Sequence, residues 1–212
     1  MNNLVIRNEQ KEDYRTVEEV TREAFYNVYV PGCDEHYLVH KLRKSVDFIP
    51  LLDFVAETDN KIVGNIVFSK SYIIDDIGNK HDMLTFGPLS VLPDYQNKGI
   101  GGMLIEHAKK AACELKYKAI LIYGYPDYYK RFGFKHAKEY NITSPEGKYP
   151  VAHLVYELYE GALDNITGKA YESEVYNIDK NEAEDFDKLF PAKEKKITDS
   201  QKKFERTAAM CL

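Results

Sequence analysis

The stretch Gln96-Asn97-Lys98-Gly99-Ile100-Gly101-Gly102 limits this chain more than any other. It follows an apolar run, Met83 to Val91, that reads as a buried strand. It precedes Met103 to Leu115, which reads as a helix. A strand, a glycine turn and a helix start together make an anion site. The first N–H groups of a helix have no partner within it. The helix dipole adds partial positive charge at the same place, which favours a phosphate. Gly99 and Gly101 permit positive φ and keep side chains away from a close ligand. A phosphate compound at this turn is therefore the expectation from which function follows.

Two familiar phosphate loops do not fit. A nucleoside triphosphate loop needs Gly-x4-Gly-Lys-Ser/Thr, and no lysine followed by Ser or Thr comes after these glycines. A dinucleotide loop needs a third small residue, but Gly99-Ile100-Gly101-Gly102-Met103-Leu104 puts Leu there, which blocks close helix–strand packing. The next apolar run, Ala119 to Tyr123, lacks an acidic end for a ribose. A third pattern, Gln/Arg-x-x-Gly-x-Gly/Ala, is met by Gln96, Gly99 and Gly101. It is preceded by Gly87-Pro88-Leu89-Ser90-Val91-Leu92-Pro93-Asp94-Tyr95. Downstream, Tyr128-Tyr129-Lys130-Arg131-Phe132-Gly133-Phe134 sets a Tyr four residues before Gly-Phe. On these residues the chain resembles the GNAT superfamily of N-acetyltransferases, over about Leu4 to Leu158.

That resemblance implies an α/β (α+β) fold: a central mixed, mostly antiparallel sheet flanked by helices. It implies acetyl-CoA as cosubstrate, no metal, and a primary amine on a small molecule or a protein as acceptor. Leu89, Ser90 and Val91 would run beside the pantetheine arm, holding it by main-chain atoms as an added strand. A main-chain N–H there would polarise the thioester carbonyl. Gln96, Asn97, Lys98, Gly99, Ile100, Gly101 and Gly102 would hold the pyrophosphate. Because backbone atoms do the binding, the side chains of Asn97 and Ile100 are expected to be unconstrained. Tyr128 would face the CoA, and Tyr129 would be the catalytic residue near its sulfur. A phenol of pKa ~10 giving its proton to a thiolate of ~8.5 is uphill by roughly 2 kcal/mol. Hydrogen bonding to the thiolate is therefore the more economical role.

The acceptor must lose a proton. An amine of pKa ~10.4 is neutral in about one part in 10³ at pH 7. The Met83–Val91 strand carries no carboxylate, so the base is sought among Asp82, Glu57, Asp34, Glu35 and His36. His36 and His40 lie four apart, but the sequence is not His-Glu-x-x-His, which disfavours a metal pair. No cysteine lies in either motif, so direct transfer in a ternary complex is expected. The alternative is an acyl-CoA-binding module without catalysis.

Composition removes other classes. The net charge of −5 argues against nucleic acid as a partner. There is no 18-residue apolar run for a membrane span, and Met1 to Asp13 is too charged for a signal peptide. Cys33, Cys113 and Cys211, an odd set with no CxxC, fit a reducing, cytoplasmic setting.

Apolar periodicity places the remaining elements. Leu4 to Arg7 reads as a strand, and Lys11 to Tyr29 as an amphipathic helix through Val17, Val20, Ala24 and Val28. Asp34 is expected to cap a second helix. Strands are expected at Leu52–Glu57, Ile62–Tyr72, Met83–Val91, Ala119–Tyr123 and Val151–Leu158, the last being the final one. Thr58-Asp59-Asn60-Lys61 reads as a hairpin turn. The expected division is 1–158 for the acetyltransferase unit and 159–212 for a short helical extension. In the extension, Asp179 with Glu182 and Thr198 with Gln201 look like capping boxes. Phe186, Leu189 and Phe190 supply an apolar face. The extension would pack on the unit, line the amine pocket or make a homodimer contact.

Overall fold

A computed structural model describes residues 3–212; Met1 and Asn2, the start of the expected 1–158 unit, lie outside them. The chain runs β1 (Val5–Asn8), α1 (Tyr14–Phe25), α2 (Glu35–Leu42), β2 (Phe54–Thr58), β3 (Lys61–Ile74) and β4 (Lys80–Val91). It continues through α3 (Ile100–Glu114), β5 (Ala119–Tyr123), α4 (Pro126–Tyr129), β6 (Lys135–His136) and β7 (Ile142–Thr143). β8 (His153–Glu157), β9 (Gly168–Tyr171), α5 (Lys180–Asp187) and α6 (Asp199–Ala209) complete it. The strands form one mixed sheet in the order β1-β2-β3-β4-β5-β8-β6. Only β4 with β5 and β7 with β9 run parallel. The expected fold class is the one observed.

Alternation along the strands sends side chains to two faces. Phe54 and Ala56 of β2 join Leu104, Ile105 and Ala108 of α3 in one core. Val55 joins Val17 and Val20 of α1 and Val39 and Leu42 of α2 on the other. The β2–β3 hairpin turns on Asp59 and Asn60, both at positive φ (50° and 59°), as a two-residue loop of that hand requires.

Three local expectations are corrected. α1 stops at Phe25, four residues before Tyr29. Asn27 takes φ 63°, its side-chain oxygen accepts the N–H of Gly32 (2.9 Å) and of Lys196 (2.9 Å), and its carbonyl accepts from Thr198 Oγ1 (2.9 Å). A tertiary clasp to the C-terminal segment ends the helix. Asp34 makes no side-chain cap; Glu35 Oε2 accepts the Asp34 N–H instead (3.1 Å). β8 is not the last strand. Beyond it, β9 pairs with Tyr72–Ile74 of β3, on the stretch of that edge past the end of β2.

The segment after residue 158 thus contributes to the sheet as well as two helices. Asp179 caps α5 by accepting from the N–H groups of Asn181 (2.8 Å) and Glu182 (3.0 Å). Thr198 and Gln201 form a reciprocal box at α6. Phe190 is buried and Phe186 lies against His36 and His40, whereas Leu189 is 65% exposed. α5 ends at Asp187, so Leu189 falls in the following turn and not on the helix face.

Candidate active site

β4 and β5 share a single register pair, Leu84 with Ile120. Beyond it β4 stays with β3 as far as Val91, and the two parallel strands open into a cleft. The Leu92 N–H bonds to Val63 O (2.9 Å), which places the main-chain groups of Leu92 and Ser90 toward β3. Antiparallel alternation then turns those of Leu89 and Val91 toward the cleft. The Val91 carbonyl meets Gln96 Nε2 there at 3.0 Å. Ser90 faces away from the cleft: its buried hydroxyl donates to Thr21 Oγ1 (3.1 Å) and fastens β4 to α1.

The glycine turn follows. Gly99 is the α3 N-cap at φ 84° with no side-chain cap, and the Met103 N–H is the first to bond back, to Gly99 O (3.0 Å). The N–H groups of Ile100, Gly101 and Gly102 precede that bond and have no helical acceptor. Only Gly99 of the first two glycines needs positive φ. Gly101 is already helical, and its reason is space: a Cβ there would come 2.7 Å from Tyr128 Oη. The side chains of Asn97 and Ile100 are constrained after all. Asn97 holds φ 58°, a conformation Asn tolerates well, and Ile100 is 1% exposed in the core. Lys98 turns back onto Asp94 O (2.7 Å) and the Tyr95 ring. Gly99→Ala should lower stability by about 1 kcal/mol through left-handed strain, read as a shift in the urea midpoint.

Two cavities meet at this point. One, of about 750 Å³, is bounded by the turn, Met103, Tyr128 and Arg131. The other, of about 870 Å³, runs from Leu89 and Val91 to Tyr129, Tyr29 and Glu35. Val91, Gln96, Gly101 and Tyr128 line both. Arg131 was missed in the sequence although it stands in the quoted Tyr-Phe motif. Its guanidinium lies over the Tyr128 ring (4.6 Å) and beside the anion end of the cleft.

Tyr129 is both packed and available. Its ring meets Tyr128 (5.0 Å), Phe134 (5.6 Å) and Phe86 (5.9 Å), and it also lines the larger cavity. Gly124 makes room for it, since a Cβ there would fall 2.3 Å from Tyr129 Cε2. Burial pushes the Tyr129 phenol well above its usual range, so it stays a hydrogen-bond donor at neutral pH. Tyr29 beside it is pushed up to about 12 for the same reason.

The base candidates separate by position. Asp82 is exposed, near the start of β4, and Glu57 is paired with Arg7 at 2.7 Å. His36 is fully buried between Phe186 and Phe190, and burial drives its pKa down. Asp34 does not line the cavity that Glu35 enters. Burial pushes the Glu35 carboxyl up to about 7. Glu172, which the sequence did not single out, accepts from Thr85 Oγ1 (3.4 Å) and borders a separate cavity of about 50 Å³.

A family model described as Acetyltransferase (GNAT) domain matches residues 53–136, which spans the splayed strand, the glycine turn and Tyr129. This chain carries a GNAT-superfamily acetyltransferase domain. The uncharacterized N-acetyltransferase YhbS of Escherichia coli K12 is 27% identical over 143 residues, 68% of this chain and 83% of that protein. YjhQ of the same organism, also an uncharacterized N-acetyltransferase, is 30% identical over 129 residues, 59% of this chain and 66% of that protein. The crystal structure of E. coli YhbS in complex with CoA superposes with a TM-score of 0.71 at 26% identity, covering 82% of this chain and 92% of that one. A GNAT acetyltransferase from Brucella melitensis in complex with acetyl-CoA gives 0.66 at 26% identity, covering 83% and 99%. No helix among the described residues is long and apolar enough to cross a membrane.

Proposed function

We propose that this acetyltransferase moves the acetyl group of acetyl-CoA directly to a primary amine, with Tyr129 and Glu35 as its catalytic residues. The observation that carries the reading is the continuous cleft. It joins unpaired N–H groups at the α3 start to the main-chain edges of Leu89 and Val91 that face away from β3, and ends at a half-buried phenol and a half-buried carboxylate. The residues fit the cosubstrate. The N–H groups of residues 97–102 suit a pyrophosphate, with Arg131 as a cationic partner. Leu89 and Val91 suit the amides of the pantetheine arm. CoA- and acetyl-CoA-bound relatives support the same choice.

Acetyl-CoA supplies an acyl group already activated as a thioester. The chain supplies the rest. Glu35 takes a proton from the incoming ammonium, and the freed nitrogen forms the new bond to the acyl carbon. A main-chain N–H at Leu89 or Val91 steadies the negative charge that builds on the acyl oxygen. As the carbon–sulfur bond breaks, Tyr129 donates a hydrogen bond to the leaving sulfur, and the second proton of the bonded nitrogen passes to that sulfur, so the products are an amide and a free thiol. The raised pKa of Tyr129 favours sharing its own proton over surrendering it. Among the described residues no cysteine lines either cavity, which supports direct transfer over an acyl-enzyme.

Tyr129→Phe tests the assignment. Thiol release should slow by about 10²-fold, while acetyl-CoA still raises the melting temperature of the variant as it does the parent. A parent that binds acetyl-CoA but releases no thiol with any amine would instead be a binding module.

A further inference from the structure

The acceptor end of the larger cavity has a distinctive chemistry. Its walls are aromatic: Phe25, Tyr29, Tyr125, Tyr176 and Phe204 come from four separate parts of the chain. Tyr29 joins two of them, with ring centroids 5.6 Å from Phe25 and 4.5 Å from Phe204. Phe204 belongs to α6, so the C-terminal helix forms one wall. Among the described residues that line the cavity, Glu35 is the sole charged side chain. The Lys203 ammonium lies 5.6 Å from the Tyr125 ring centroid, adding a positive charge beside that wall.

Resting on the transfer reading, we infer that the acceptor is a small monoamine carried on an apolar or aromatic body, seated among these rings with its nitrogen at Glu35. One ammonium matches one carboxylate. Tyrosine faces add cation–π attraction to a cation entering the cleft. A polyamine or an aminoglycoside would bring further ammonium groups into an apolar space that offers them no partner, which is costly. The cavity, about 870 Å³ including the reach of the thioester arm, is of small-molecule size.

The test uses the full chain with acetyl-CoA and four acceptors: 2-phenylethylamine, spermidine, kanamycin and a lysine-containing peptide. Thiol release should favour 2-phenylethylamine by at least about 10²-fold in kcat/KM. Calorimetry in the presence of CoA should find it bound and spermidine not. Phe204→Ala should raise its KM about tenfold and leave acetyl-CoA affinity unchanged. Phe204→Leu should recover most of that loss, because apolar area is what is removed. Equal or better turnover of spermidine, kanamycin or the peptide overturns the acceptor class and leaves the acetyl-transfer reading standing. If no amine releases thiol but calorimetry still separates 2-phenylethylamine from spermidine, transfer fails and the recognition stands. An unchanged KM in Phe204→Ala overturns the part assigned to α6.

Discussion

Glu35→Gln should slow acetyl transfer by about 10²–10⁴-fold and at the same time make the protein more stable above pH 7. Both results follow from one cause: burial pushes the Glu35 carboxyl up from its ordinary 4.5 to about 7. For transfer, a carboxylate of that strength is half-ionised near neutrality and well matched to accept a proton. The parent's kcat/KM should therefore rise through a limb near pH 7, distinct from the acceptor's own limb near ~10. The glutamine variant loses the lower limb. For stability, the folded chain holds the Glu35 proton more tightly than the unfolded chain does. That contribution is fully present below about pH 4.5 and is lost as the pH rises through about 7. The shift corresponds to on the order of 3 kcal/mol. Water entering the cavity screens part of it, leaving about 2 kcal/mol. Glutamine keeps an oxygen for the Asp34 N–H but cannot ionise. Its advantage should reach roughly 5 °C in melting temperature at pH 8 and vanish by pH 4.5. A variant that keeps its rate and its limb near pH 7 would remove Glu35 from the mechanism.

The proposed donor half of the cleft was legible in the sequence because the chemistry proposed for it is local. An anion held by main-chain N–H groups demands glycines at fixed spacing, and Gln96, Gly99 and Gly101 record that demand in six residues. Even there the reasons were only partly visible. Gly101 is small because Tyr128, 27 positions away in sequence by their numbers, reaches over it. Ile100 looks optional in a backbone-binding loop, yet it is a core residue, because the first turn of α3 already faces the sheet. The proposed acceptor half was not legible. Its walls come from α1 and the turn after it, the start of α2, the β5–α4 corner, Tyr176 and α6, and no short spacing links them. Glu35 stood among five candidate bases with nothing local to favour it. β9 escaped notice for a related reason: it is four residues long with a central lysine, and its pairing partner on β3 is nearly 100 residues earlier. Where structure depends on long-range company, periodicity carries little signal.

Asp187→Ala should lower stability by about 3 kcal/mol in urea unfolding and by roughly 10 °C in melting temperature. Arg22 of α1 is 2% exposed, and its guanidinium makes two bonds to Asp187 of α5, Nε to Oδ1 at 2.6 Å and Nη2 to Oδ2 at 3.2 Å. Alanine would leave a buried cation with no acceptor. Such losses run to ~3–5 kcal/mol, and the lower figure applies because the Asp187 side chain is itself 19% exposed. The pair need not stabilise the fold relative to apolar residues of similar size. Arg22→Met with Asp187→Leu should therefore recover most of the loss, and a double-mutant cycle should show strong coupling. The change also reaches the active site. Asp187 Oδ1 lies 3.1 Å from His36 Nε2, and Phe186 and Phe190 of the same segment pack on the His36 ring. His36 follows Glu35 directly at the start of α2. Loosening α5 should therefore raise the acceptor KM at temperatures where the variant is still folded, without weakening acetyl-CoA, whose proposed phosphate site is at the opposite end of the cleft. A loss below 1 kcal/mol would mean that water already satisfies Arg22. An unchanged acceptor KM would separate α5 from the Glu35 carboxylate and make it a clamp on the fold alone.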